Sequence, residues 1–169
     1  MNNLISVDEF VSYRQISKKV NEDKVNECIS LAQQGDFANS LGDLYFDVLK
    51  NKDEASYVLL MDGGDFKVDG GDFAHSGLKR YLADLAYSRF VYVINANFTP
   101  FGMQMKNSEN SQGVDRNFIR DQSKQAQIDA SSKFKFIQKY IESERVLFKR
   151  FFDSSENTGS FATLKTSKL

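Results

Sequence analysis

The sequence predicts a mostly α protein: a helical bundle with a small β-hairpin and a long C-terminal helix. Three observations predict it. Glycine (10) and proline (1) are scarce in the 169 residues, whereas a turn-rich β-sandwich would need many of both. Apolar residues recur at helical spacing in several segments. Only one short glycine-paired stretch, residues 62–73, has the look of strand, turn and strand. The length suits one domain. The expected division is a helical domain over 1–152, with the hairpin at about 62–73, and a flexible polar tail over 153–169.

Taken in order, residues 4–20 read as an irregular lead-in, because Val7, Phe10, Val11 and Ile16 sustain no period. Asn21-Glu22-Asp23 starts a helix, with an N-cap amide and acids in the first turn. Val25, Ile29 and Ala32 follow on one face. Gly35 should stop that helix and Asp36 cap the next, which carries Phe37, Leu41, Leu44 and Val48, with a possible break at Gly42. Residues 54–61 fit a short helix or a strand. A strong helix begins at His75 or Ser76, apolar nearly all round, and such a helix belongs at the centre of a bundle or between subunits. It fades at Asn95-Ala96-Asn97, and Thr99-Pro100-Phe101-Gly102 forces a turn. Residues 103–113 read as an exposed loop. From 114 to 152 there is no Pro or Gly. Ala126, Ala130, Phe134, Ile137, Ile141 and Phe148 form a stripe there, so a single helix of roughly 58 Å is expected at about 1.5 Å per residue. It should leave the bundle near Arg145.

Composition excludes several classes. One Cys rules out an internal disulfide and one His a His-rich metal cluster. Cys28 reads as a small buried apolar residue. No apolar run is long enough to span a bilayer, and the first six residues lack the pattern of a signal peptide. Charge is uneven along the chain. Residues 36–75 hold nine acids and three Lys, whereas 114–152 hold nine Lys/Arg and five acids. That polarity suits head-to-tail contact between copies, with two solvated faces as the alternative. No block is basic enough for tight nucleic-acid binding.

The motifs point away from catalysis. Asp-Gly-Gly-Asp-Phe occurs twice, seven residues apart. It is one residue short of the diguanylate cyclase signature and lacks a surrounding βαβ pattern. The acids Asp62, Asp65, Asp69 and Asp72 lack EF-hand spacing, so a solvated acidic hairpin is favoured over calcium binding. His75 and Ser76 are adjacent without a nucleophile elbow, and a helix-capping or solvated role is expected for either. No phosphate-cradling loop is present. The final Ser167-Lys168-Leu169 matches a peroxisomal address, but three residues carry little information. Phe148, Phe151, Phe152 and Phe161 lie where the long helix gives way to the polar tail. They are candidate anchors for a partner, with packing on their own subunit as the alternative.

Several stretches together resemble the head–tail connector (adaptor, or head-completion) proteins of tailed bacteriophages, most closely the version in phages of Bacteroidetes, including crAss-like phages. They are Leu4-Ile5-Ser6-Val7-Asp8-Glu9-Phe10 with Tyr13-Arg14-Gln15-Ile16-Ser17, Ala32-Gln33-Gln34 with Leu41-Gly42-Asp43, and Leu60-Met61-Asp62-Gly63-Gly64. Gly77-Leu78-Lys79-Arg80, Ala86-Tyr87-Ser88-Arg89-Phe90 and Thr99-Pro100-Phe101-Gly102 with Lys106-Asn107-Ser108-Glu109 complete the series. The resemblance implies a structural virion protein without catalysis, cofactor or metal. It would form a homo-oligomeric, twelve-fold ring on the portal protein at the head–tail junction, assembled in the host cytoplasm. The ring would extend the channel for non-specific passage of double-stranded DNA and receive a downstream neck or tail protein, with no membrane involved. Phe148, Phe151, Phe152 and Phe161 would then contact the portal or a neighbour, and Asp62, Asp65, Asp69 and Asp72 would line the channel. A small helical regulatory or nucleic-acid-associated phage protein is the alternative.

Overall fold

The structure is a computed structural model that describes residues 3–17, 19–99, 102–105 and 115–152. Among these are seven α-helices and two antiparallel hairpins, the mostly α bundle with hairpin and long helix that the sequence predicts. Phe161 and the whole of 153–169 lie outside the described residues, as do 106–114.

The lead-in is a helix, α1 (Val7–Arg14). Ser6 accepts from the Glu9 N–H while the Glu9 side chain accepts from the Ser6 N–H, a capping box that satisfies two otherwise orphaned donors. α2 (Glu22–Ala32) is capped by Asn21, whose side chain accepts from the Lys24 N–H. Gly35 does not end the helix cleanly. It takes φ −98°, ψ −105° inside the kinked turn Gln33–Phe37, which runs straight into α3 (Ala38–Leu41). Asp36 is no cap; its carboxylate pairs with Arg89 at 2.7 Å. The chain does break at Gly42 (φ 54°, ψ −134°) before α4 (Leu44–Asn51). The segment expected as a short helix or a strand is a helix, α5 (Ala55–Asp62), with Glu54 extended just before it.

α6 (Gly77–Asn95) is the axis of the bundle. Leu78, Tyr81, Leu82, Ala83, Leu85, Ala86, Phe90 and Val91 are all buried along it, and α1, α2, α5 and α7 pack around it. Most of its apolar girth is therefore covered within one chain, with Tyr92 and Ile94 exposed near its C-terminal end. A single buried acid interrupts it. Asp84 is 1 % exposed, accepts from Arg14 at 2.7 Å and is also held by Lys133. Arg14 in turn lies over the Tyr87 ring, 4.0 Å from its centroid. One carboxylate thus joins α1, α6 and α7.

After α6 the chain forms a second hairpin, β3 (Ala96–Thr99) with β4 (Gly102–Met105), so the expected loop begins with a strand. α7 (Arg116–Ser143) follows. It is about 42 Å long at about 1.5 Å per residue, shorter than expected, because the helix ends at Glu144 (φ −105°, ψ 38°). The chain then turns and buries Phe148.

Candidate functional site: hairpin and long helix

The first hairpin, β1 (Gly64–Val68) with β2 (Gly71–His75), follows from its glycines. Asp69 and Gly70, at φ 48° and 77°, make the two-residue turn with both φ positive whose twist matches paired strands. At the base, Gly63 (φ 88°) and Gly77 (φ 80°) bring the end of α5 against the start of α6. A Cβ on either would fall 2.5 Å from opposing backbone atoms. Asp62 is thus outside the hairpin, the last residue of α5, and pairs with Lys79 at 2.8 Å. This hydrogen bond is the main reason the Lys79 ammonium is held above its ordinary pKa.

Period-two alternation divides the hairpin into two faces. Inward, Phe66 and Phe73 are opposed across the strands, with ring centroids 5.9 Å apart. His75 stacks on Tyr140 of α7 at 4.6 Å, and Phe66 meets the same Tyr140 at 5.4 Å. Lys139 of α7 sits over the Phe73 ring at 3.5 Å. Beyond Tyr140 comes Phe148 at 5.8 Å, and then Tyr57 of α5 at 5.5 Å. This chain of rings fastens the hairpin to the bundle. Aromatic burial within the chain thus orders the hairpin.

His75 is buried and accepts through Nδ1 from the Gly77 N–H at 3.3 Å, capping the start of α6. Burial lowers its pKa and raises that of Tyr140, so the stack is between neutral rings. Burial likewise pushes the Cys28 thiol up to about 11. Outward, Asp65, Lys67, Asp69 and Asp72 are exposed, Lys67 and Asp72 lying 3.6 Å apart. Among the described residues, no three His, Cys, Asp or Glu side chains converge as metal ligands would, and no helix is long and apolar enough to cross a membrane.

Of the candidate anchors, the three among the described residues take the alternative of packing on their own subunit. Phe148 is fully buried and Phe151 nearly so, both in the chain's own core. Phe152 packs against Phe151 at 5.4 Å, with Arg145 over its ring. Among the described residues the chain does not leave the bundle as a straight helix at 145; Val146 and Leu147 are exposed in the turn, but the Phe side chains gain more from the pocket formed with Tyr57 and Tyr140 than from a straight helix in water. Arg150 pairs with Asp47 at 2.7 Å, so part of the acidic–basic complementarity is used within one chain.

Sequence reasoning passed over the outer face of α7. Its inner face buries Ile119, Ala126, Ala130, Ile137 and Ile141, yet Phe118, Ile128 and Phe136 are 56 %, 57 % and 50 % exposed. The signal was present as apolar residues off the core stripe.

The profile of a family described as being of unknown function, DUF6712, matches residues 37–160, from the kink before α3 through both hairpins and α7. No curated protein and no solved structure matches the chain.

Proposed function

We propose that this chain, which belongs to the DUF6712 family, is a structural virion protein. In this reading it forms an oligomeric ring that joins the portal of a phage head to the neck or tail and extends the DNA channel. The observation that carries the reading is the two-sided α7. A 28-residue helix whose core face is already satisfied still presents Phe118, Ile128 and Phe136 to solvent, which suits a subunit covered by neighbours in an assembly. The rigidly fastened hairpin supports it too, since a projecting element held by ring contacts keeps its shape when copies meet. The motif series of the connector proteins supplies the identity of the assembly. The chain then acts by shape and contact: its partners are further copies of itself, the portal protein and the next neck protein, with double-stranded DNA passing without specific contact. Cryo-electron microscopy of particles produced from the encoding genome tests this. Density for the chain in a ring below the portal is expected; its absence from purified virions would overturn the reading.

A further inference from the structure

We infer that the outward edge of the β1–β2 hairpin of one copy docks on a cationic strip of α7 of the next copy; this rests on the ring reading above. The strip is formed by Arg116, Arg120 and Lys124, one every fourth residue, with Lys135 three turns further on, all exposed. Residues four apart share a helix flank, and the strip runs about 28 Å at about 1.5 Å per residue. Its nearby acids do little to neutralise it. Asp121 touches Arg120 at 3.4 Å in an exposed pair, and Asp129 accepts instead from Gln125.

The hairpin presents the complementary pattern. Asp65 lies opposite Ala74 and Asp72 opposite Lys67, so the two acids are diagonal neighbours, about 7–8 Å apart. Successive cations of the strip are about 6 Å apart along the helix axis. Lys67 and Asp72 are 83 % and 80 % exposed at 3.6 Å, a loose contact that leaves the carboxylate available.

The hairpin acids do not reach the Arg116–Lys124 end of the strip on their own α7. The inward face of the hairpin is occupied by Lys139 and Tyr140, so its acids point away from its own α7. Lys139 is also about 22 Å along the helix from Lys124, and of the strip Lys135 alone, about 6 Å from Lys139, lies near the chain's own hairpin. Two different patches on one subunit, matched between copies, make a heterologous contact, which closes as a ring when the rotation allows. Ile128, 57 % exposed beside the strip, favours a protein partner over a phosphate backbone, since a protein surface would cover it.

Charge-swap mixing tests the inference. One variant carries Asp65→Lys and Asp72→Lys; the other carries Arg120→Glu and Lys124→Glu. All four sites are exposed, and circular dichroism should show both variants folded. By native mass spectrometry the wild type is expected to assemble and each variant alone to remain monomeric. An equimolar mixture should regain assembly with alternating subunits, and a single chain carrying all four substitutions should assemble by itself. Wild-type-like assembly of either variant alone, or failure of the mixture, overturns the inference while leaving the ring reading standing. A wild type that stays monomeric both alone and with portal protein overturns both. Salt-sensitive binding of a short DNA duplex, lost in the Arg120→Glu/Lys124→Glu variant while assembly is unchanged, would assign the strip to nucleic acid and overturn the inference as well.

Discussion

α6 and α7 are the two long helices of the bundle, and they distribute their apolar residues in opposite ways. α6 buries most of its apolar residues and leaves Tyr92 and Ile94 exposed only near its C-terminal end, and its one internal acid is clamped by Arg14 and Lys133. α7 buries one face and leaves Phe118, Ile128 and Phe136 outside. The difference teaches that apolar content alone does not identify an assembly helix. The all-round apolar helix is the internal axis, whereas the amphipathic one with apolar residues left over is the candidate outer surface.

The largest expected effect breaks α6 at its clamp. Asp84→Ala leaves two cations without their buried carboxylate and should cost about 3–5 kcal/mol, the range for a broken buried pair, read by urea denaturation. Phe148→Ala should come close behind, at about 3–5 kcal/mol for a fully buried Phe. It removes the link between Tyr57 and Tyr140, so proteolysis of the hairpin should accelerate with it. Leu82→Ala, in the centre of α6, should cost about 2–5 kcal/mol.

A smaller effect is pH-dependent. Burial holds the His75 pKa below its usual 6.5, so the unfolded chain binds a proton there more readily than the folded one. Stability from this residue is present above about pH 6.5 and falls as pH drops below it. Thermal melts of the wild type should therefore lose stability more steeply, as pH falls below 6.5, than those of His75→Phe; equal slopes would count against the buried stack. The smallest effect on folding belongs to the outer face of α7. Ile128→Ser and Phe136→Ser should each change monomer stability by no more than about 0.5 kcal/mol.

Much of the fold was legible because local signals and tertiary need agreed. Asn21 caps α2 where its amide and the following acids indicated, and the glycine pairs around Asp65 and Asp72 give a hairpin. α1 was missed although Ser6 and Glu9 spell a capping box, because a helix of eight residues that buries only Phe10 and Val11 is too short to show a period. The end of α7 was misread for a different reason. No Gly or Pro marks it, and what stops the helix is the aromatic pocket that draws Phe148 inward, a tertiary effect invisible in local sequence. Asp84 was overlooked for the same reason: its partners lie 70 and 49 residues away. At the candidate site the acids of the hairpin were legible, except that Asp62 belongs to α5.

The most direct measurement of the central claim, that α7 is two-sided because its outer face is covered in an assembly, is native mass spectrometry of the chain mixed with its portal protein. It would compare the wild type with the Ile128→Ser/Phe136→Ser double variant. The account predicts a ring bound to the portal for the wild type and, for the variant, a folded chain with wild-type melting behaviour that no longer joins the ring. A double variant that assembles on the portal as completely as the wild type would contradict it.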